Sequence, residues 1–387
     1  MKSGGLRANI YGNSMTKKTR WIIFLLCIAV FLIIAPYIIL YSLGYRVDFS
    51  NMRLVGTGGI YVRATPNVEE IIIDDKITNK PGIFSNAVFV QNLLPTLHSV
   101  LIKKTGYHSY QKNLLVKEKE VTKLEHVILF KENITFEALP PASQSPFDRP
   151  APEDRYVIKN NNLYYSNAPE NTDLTQTQKN TPVLENIIAY KISNGDIVWL
   201  GVDGFLYNFN ANGQSVQKLS LLAKLVNKKN TYEIFTVGTN VFLKENAALL
   251  AFDNVTKSFQ DFYSPVIGMK ESPNKEKFVF YSGSEIFYSF LDVEKPQKTS
   301  LYKSSEKIAY VEWINNDYIL FKAGDKIIIS EIDIDNNQTN SITLAPITSP
   351  YGNEVDMKTA QVLFNQPDKK LYILNEADVL ISERLIP

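Results

Sequence analysis

One cysteine, Cys27, is all that this chain of 387 residues contains. No disulfide can form within it, so whatever folds must be held by core burial. Histidine is nearly as scarce: His98, His108 and His126 are the whole supply. Their spacings match no metal-ligand motif, which needs side chains converging within about 2 Å of one ion and steadied by further partners. Their setting reads as structural, so neither a metal nor any other cofactor is expected. An excess of one charge is missing too. Forty-one Lys and Arg face 40 Asp and Glu, for a formal +1, which is no footprint for nucleic acid. The chain has no G-x-S-x-G elbow and no G-x-x-x-x-G-K-[ST] phosphate loop. The nearest thing to a calcium loop, Asp333-Ile-Asp335-Asn-Asn337, lacks the glycine and the distal glutamate and reads as a polar turn.

What is present begins with an apolar run. Trp21 to Leu43 extends for 23 residues without a charge, enough at about 1.5 Å per helical residue to cross a bilayer core of roughly 30 Å. It is longer than the apolar part of a signal peptide and leaves through Tyr41-Ser42-Leu43-Gly44-Tyr45, which offers no small-x-small cleavage site. The residue pair before Cys27 is Leu25-Leu26, which does not fit a lipoprotein site. Pro36 removes one backbone donor and is expected to bend the helix, and Trp21, Tyr37, Tyr41 and Tyr45 stand near its ends, where amphipathic rings favour the interface. Residues 1–20 hold Lys2, Arg7, Lys17, Lys18 and Arg20 and no acid. The positive-inside bias therefore predicts a cytoplasmic tail, a single span over residues 21–43 of the cytoplasmic membrane, and everything else outside. The part beyond the span carries a formal −4.

Residues 57–130 are short alternating apolar runs divided by turn residues. Gly59-Ile-Tyr-Val-Arg-Ala-Thr65, Ile71-Ile-Ile-Asp74, Ala87 to Gln91, His98 to Lys103, Gln111 to Val116 and Val121 to Phe130 give six strands, with Pro95 and Gly106 between runs. Six strands in so short a stretch predict a small antiparallel β-sandwich. The series Thr65-Pro66, Ile71-Ile-Ile-Asp74-Asp75-Lys76, Leu94-Pro95-Thr-Leu-His98-Ser-Val100 and Lys104-Thr-Gly106-Tyr107 resembles the PEGA domain. The chain departs from that family at Pro66-Asn-Val-Glu69, where the name-giving Pro-Glu-Gly-Ala would stand, and in lacking a glycine before His98. The resemblance implies a surface-exposed β-sandwich of bacterial envelope proteins, with structural motif residues and no activity.

Residues 137–154, EALPPASQSPFDRPAPED, hold five prolines and read as a semi-stiff extended spacer. Residues 155–387 then repeat at about forty residues. The clearest unit is Ile308 to Asn316, Asp317 to Phe321, Lys326 to Glu331 and Ser341 to Leu344. Ile187 to Leu219, Tyr232 to Phe262, Val266 to Tyr302 and Val355 to Leu385 follow the same plan, and Arg155 to Gln178 is an incomplete first unit. Four short strands per repeat predict a β-propeller of about six blades, with two β-sandwiches as the alternative. The incomplete first unit is expected to close the ring against Leu371 to Leu385. Ser272-Pro-Asn-Lys-Glu-Lys277-Phe-Val-Phe-Tyr281 followed by Glu285-Ile-Phe-Tyr288 resembles the repeat of TolB-like and WD-repeat propellers. The fold class is thus mainly β: one N-terminal transmembrane helix, a small sandwich and a propeller.

Aligning the repeats places Lys191, Phe235, Lys270 and Glu312 at one equivalent inner-strand position, the place where propeller enzymes set their channel groups. That mixture is neither a carboxylate pair for glycoside cleavage nor a ligand ring, and residues 155–387 contain no histidine for a triad. No catalytic residue is predicted. The favoured reading is a single-pass envelope protein that acts as a non-catalytic scaffold for an envelope protein or a cell-wall glycan. The alternative is an envelope propeller hydrolase of saccharides or esters, which a convergent set of acids at the channel mouth would favour.

Overall fold

A computed structural model describes residues 16–49, 51–79, 87–139, 147, 156–165, 182–193, 195–210, 215–291, 297–332, 339–375 and 378–387. The chain divides into two compact units, Met1–Ile102 with Lys112–Val127, and Lys103–Gln111 with Ile128–Pro387. Residues 333–338, which contain the calcium-like sequence, lie outside the described residues, as does most of the proline-rich stretch.

The first unit begins with α1 (Lys17–Ser42), an uninterrupted helix through Pro36. It starts four residues before the apolar run, because the Thr16 hydroxyl accepts the Thr19 N–H at 3.3 Å and caps the first turn. None of its residues is buried against the rest of the protein. A hairpin follows directly, β1 (Tyr45–Asp48) with β2 (Arg53–Gly56). Beyond it stand two sheets. One has the order β6 (Ala87–Leu93), β3 (Gly58–Thr65), β9 (Val121–Ile128). The other runs β5 (Lys76–Asn79), β4 (Glu70–Ile73), β7 (Leu97–Lys103), β8 (Tyr110–Leu115). The seventh strand is β5, which turns the expected single strand at Ile71–Asp74 into a hairpin. Alternation builds the core: Ile60, Val62, Ala64, Ile71, Val100 and Ile102 are each almost fully buried, one face per strand.

The second unit is a β-propeller of antiparallel sheets. A two-stranded hairpin, β11 (Tyr156–Lys159) and β12 (Asn162–Tyr165), precedes blade 1 and is tied to its first residue, Ile187, whose N–H donates to the Asn161 carbonyl. Blade 1 is β13 (Ile187–Ser193), β14 (Asp196–Gly201), β15 (Leu206–Asn210) and β16 (Ser215–Lys218), in that order. Blade 2 repeats it with β17 (Tyr232–Val237), β18 (Asn240–Glu245), β19 (Ala248–Asp253) and β20 (Ser258–Tyr263). Blade 3 holds β21 (Gly268–Glu271), β22 (Lys277–Tyr281), β23 (Glu285–Phe290) and β24 (Thr299–Lys303). Blade 4 holds β25 (Ile308–Trp313), β26 (Tyr318–Ala323), β27 (Lys326–Glu331) and β28 (Ser341–Thr343). The second strand of each blade is buried on both faces, as in Lys277–Tyr281 and Tyr318–Ala323. Such strands read as continuous apolar runs because sheet packs on sheet on either side.

The last blade, blade 5, corrects the sequence reading. Its strands β29 (Gln361–Asn365), β30 (Lys370–Asn375) and β31 (Asp378–Arg384) are joined at the outer edge by β10 (Phe136–Ala138). Phe136 pairs with Ser382 and Ala138 with Leu380. The strand that completes this sheet therefore comes from ahead of the repeats, and Arg155–Gln178 does not supply it. Glu137 and Ala138, read from sequence as the start of the spacer, are strand residues. Contacts distant in sequence hold it there: Phe136 packs on the cluster containing Leu371, Ile373 and Leu380, and the Lys131 ammonium and the Thr135 N–H both donate to the Glu383 carboxylate.

Candidate functional site

Each blade's first strand is its inner edge: β13 lies against β17, and β21 against β25. The ladders give these strands a common register. Ser193 pairs with Asp196, Val237 with Asn240 and Asn365 with Lys370 at the ends of three inner hairpins. The Ser272 N–H to Lys277 oxygen bond and the Ile314 N–H to Tyr318 oxygen bond close the other two. Two residues before each closure stand Lys191, Phe235, Lys270, Glu312 and, in blade 5, Leu363, opposite Val198, Phe242, Val279, Leu320 and Tyr372. The four residues aligned from sequence thus occupy one rung, and Leu363 is the fifth member that the repeat alignment missed. Along the strands they alternate with buried neighbours such as Ile234, Met269, Val311 and Val362.

Of the four, the structure joins Lys270 and Glu312, whose Nζ and Oε2 are 2.9 Å apart. The other Glu312 oxygen accepts the Trp313 N–H at 3.1 Å, so both carboxylate oxygens are engaged. The Trp313 indole N–H donates to the Lys270 carbonyl at 3.1 Å, and the Gln366 amide donates to the Trp313 carbonyl. The turns beside this rung are tied in the same way. Asn274 N–H donates to the Asn316 side chain at 3.0 Å, and the buried Lys277 ammonium meets Asp317 at 2.9 Å. Blades 3, 4 and 5 are thereby sewn together at their inner edges.

Two phenols complete the site. Burial raises the Tyr281 pKa, with Lys270 opposing and Glu312 and Glu233 adding to it. Burial also raises that of Tyr310, and Glu312 adds to it although the Phe364 N–H donates to its hydroxyl at 2.8 Å. Both phenols therefore stay protonated at neutral pH. Tyr281 reaches its place because its partner in the ladder is Gly268, where a Cβ would stand 2.8 Å from the phenol oxygen. A glycine inside an apolar strand was the one available sequence signal for this close approach.

Among the described residues these groups form one ion pair, Lys270 with Glu312, beside two protonated phenols. The Glu312 carboxylate accepts from the Lys270 ammonium through one oxygen and from the Trp313 N–H through the other, which fixes its orientation at the seam of blades 3 and 4. Among the described residues there is no group of three or more His, Cys, Asp or Glu placed to hold a metal ion. His98, the most buried histidine, is bonded through Nδ1 to Asp74 at 2.5 Å and through Nε2 to the Leu94 carbonyl at 2.8 Å. A groove of about 530 Å³ lies elsewhere on the second unit, with Leu344, Ile347, Val355 and Met357 in its wall and Asp325, Glu354 and Lys358 among its polar lining.

No protein-family profile matches the chain, that of the PEGA domain included, and no curated protein matches it. Solved structures do. One is YCF48 bound to a D1 peptide, 17% identical, covering 60% of this chain and 75% of its own, with a TM-score of 0.36. A second is a Bacteroides uniformis protein classed as a 6-phosphogluconolactonase, 12% identical, covering 52% and 68%, with a TM-score of 0.33. A third is the extracellular domain of the B. thetaiotaomicron hybrid two-component system protein BT4673, 11% identical, covering 83% and 39%, with a TM-score of 0.35. Likeness at this level adds nothing to what the four-stranded sheets establish by themselves.

Proposed function

We propose that the chain is a single-pass protein of the bacterial cytoplasmic membrane that carries its two β units outside as a non-catalytic scaffold. The tail at residues 1–20 is cytoplasmic in this reading, and the 57–130 region serves as a PEGA-like surface module. The partner is an envelope protein or a cell-wall glycan. The observation that supports the non-catalytic part is the make-up of the shared inner rung: Lys191, Phe235, Lys270, Glu312 and Leu363 offer a single acid, and it is ion-paired with Lys270, so no pair of carboxylates converges there. The observation behind the anchor is α1, which is uncharged from Trp21 onward and has no residue buried against the protein.

Protease added to cells with any outer layer permeabilised is expected to digest residues beyond 44 and spare the N-terminal tail. Full protection of the β units refutes the topology. Residues 45–387, immobilised and exposed to envelope proteins and to purified cell-wall fragments, are expected to retain one of them saturably. A hydrolytic turnover of saccharide or ester substrates by the same protein refutes the scaffold.

A further inference from the structure

The hairpin that follows α1 exposes apolar side chains where a soluble turn would place polar ones. Phe49 and Met52 at its tip are each 81% exposed, and the cross-strand pair Val47 and Leu54 is 39% and 48% exposed. No described residue of the first unit covers them. Two polar side chains among the described residues of the tip are meanwhile paired with each other. Asp48 is buried, and its carboxylate accepts the Asn51 N–H at 3.3 Å and the Asn51 amide at 2.8 Å. Polar side chains already paired lose little on leaving water, whereas the apolar side chains gain.

The root of the hairpin is pinned to the end of the helix. The Gly44 carbonyl accepts both the N–H and the hydroxyl of Thr57, at 2.8 and 2.6 Å. Arg46 donates to the Tyr41 carbonyl at 2.9 Å and lies 3.4 Å above the Tyr41 ring, closing the last helical turn. With four-residue strands rising about 3.3 Å per residue, the tip stays within about 15 Å of the helix terminus. We infer that the hairpin 45–56 is a second, interfacial anchor that seats Phe49 and Met52 at the boundary of headgroups and acyl chains. Arg53, next to Met52 and with its side chain 62% exposed, suits a lipid phosphate. The occupant of this apolar surface is the bilayer that receives α1, so the inference rests on the membrane reading proposed above.

The single cysteine allows the two claims to be tested separately. The full chain is reconstituted into phosphatidylethanolamine and phosphatidylglycerol vesicles, with or without bromine on the acyl chains, carrying an environment-sensitive fluorophore on Cys27. On a Cys27→Ser background the label is moved to Phe49→Cys or Met52→Cys, both exposed positions whose replacement removes no packing. The expected result is a blue shift and loss of emission in brominated vesicles from positions 49 and 52 as well as from Cys27. If Cys27 is quenched while both hairpin labels report water, the helix stands and the interfacial hairpin is wrong. If Cys27 is unquenched, the membrane reading fails and takes the hairpin with it. Hairpin labels shielded from water but unquenched by bromine, on a chain that is dimeric in detergent, mean that a second copy covers the surface and overturn the proposal.

Discussion

Lys270 and Glu312 stand at the same rung of neighbouring blades, and their side chains meet at 2.9 Å across the seam. The pair is half in water, with the lysine side chain 46% exposed, so its net worth is only about 0–1 kcal/mol. Glu312→Gln should therefore leave the denaturation midpoint of the second unit within about 1 kcal/mol of wild type. Any partner binding should survive as well. A hydrolytic activity that vanishes with this one change would mean that Glu312 does chemistry and that the enzyme alternative is right.

Gly106 and Gly204 share a left-handed backbone, φ +78° and +81°, but not the same surroundings. A Cβ on Gly106 would meet nothing within 4 Å, whereas one on Gly204 would lie 2.1 Å from the Lys224 carbonyl oxygen. Gly106→Ala should cost about 1 kcal/mol for the conformation alone. Gly204→Ala should cost about 2–4 kcal/mol, because it also breaks the approach through which Lys224 N–H donates to Gly204 at 2.8 Å. Gly106→Val, with a β-branched side chain in the same turn, should fall between, at about 1–3 kcal/mol. Equal chemical-denaturation midpoints for the two alanine variants would contradict the contrast.

How far the sequence was legible depends on how local each signal is. The helix and the blades announce themselves through runs and alternation inside a few tens of residues, and Gly106 reads as a turn because Lys104 and Tyr107 flank it. The closing strand gave no such signal. Phe136–Ala138 is three residues long, and its partner Leu380–Ser382 lies more than two hundred residues away, so nothing nearby marks it as strand. The hairpin 45–56 was missed for the opposite reason. Alternation is visible when one face is buried, and here Val47 and Leu54 face outward as apolar residues. At the inner rung, aligned repeats found Lys191, Phe235, Lys270 and Glu312, but which of them touch follows from blade geometry that no single repeat encodes.

The recruited strand makes a prediction about truncation. Ending the chain at Asn365 removes β30 and β31, and with them Leu371, Ile373 and Leu380, all at most 2% exposed. It also strands β29 and Phe136–Ala138 as unpaired edges. Such edges invite association with other chains, so the truncated protein should aggregate on size-exclusion chromatography. A monomer with a cooperative melt would show that the last blade is not needed to complete the second unit.

Acid should weaken the second unit through two glutamates. At Glu245, burial pulls the pKa up, but hydrogen bonds from Lys224, Asn230 and Tyr232 outweigh it and leave the folded value lowered. Glu383 is lowered likewise: burial raises it, and the bonds from Lys131 and Thr135 pull it further down. A carboxyl whose pKa is lower folded than unfolded, where it is about 4.3, stabilises the fold above that unfolded value. The contribution fades as the pH falls through the folded one. The wild-type denaturation midpoint should accordingly decline below about pH 5. Glu245→Gln should cost about 1–2 kcal/mol at neutral pH, from the lost charged hydrogen bonds. Because the variant has no carboxyl to protonate there, its midpoint should fall less steeply, and the two curves should converge in acid. Glu383→Gln should behave the same way and in addition loosen β10, seen as faster amide exchange at Leu139, whose N–H donates to the Val379 carbonyl just beyond the strand that this carboxylate holds at Thr135. Parallel pH curves for wild type and both variants would show that these ion pairs contribute nothing to holding the blades.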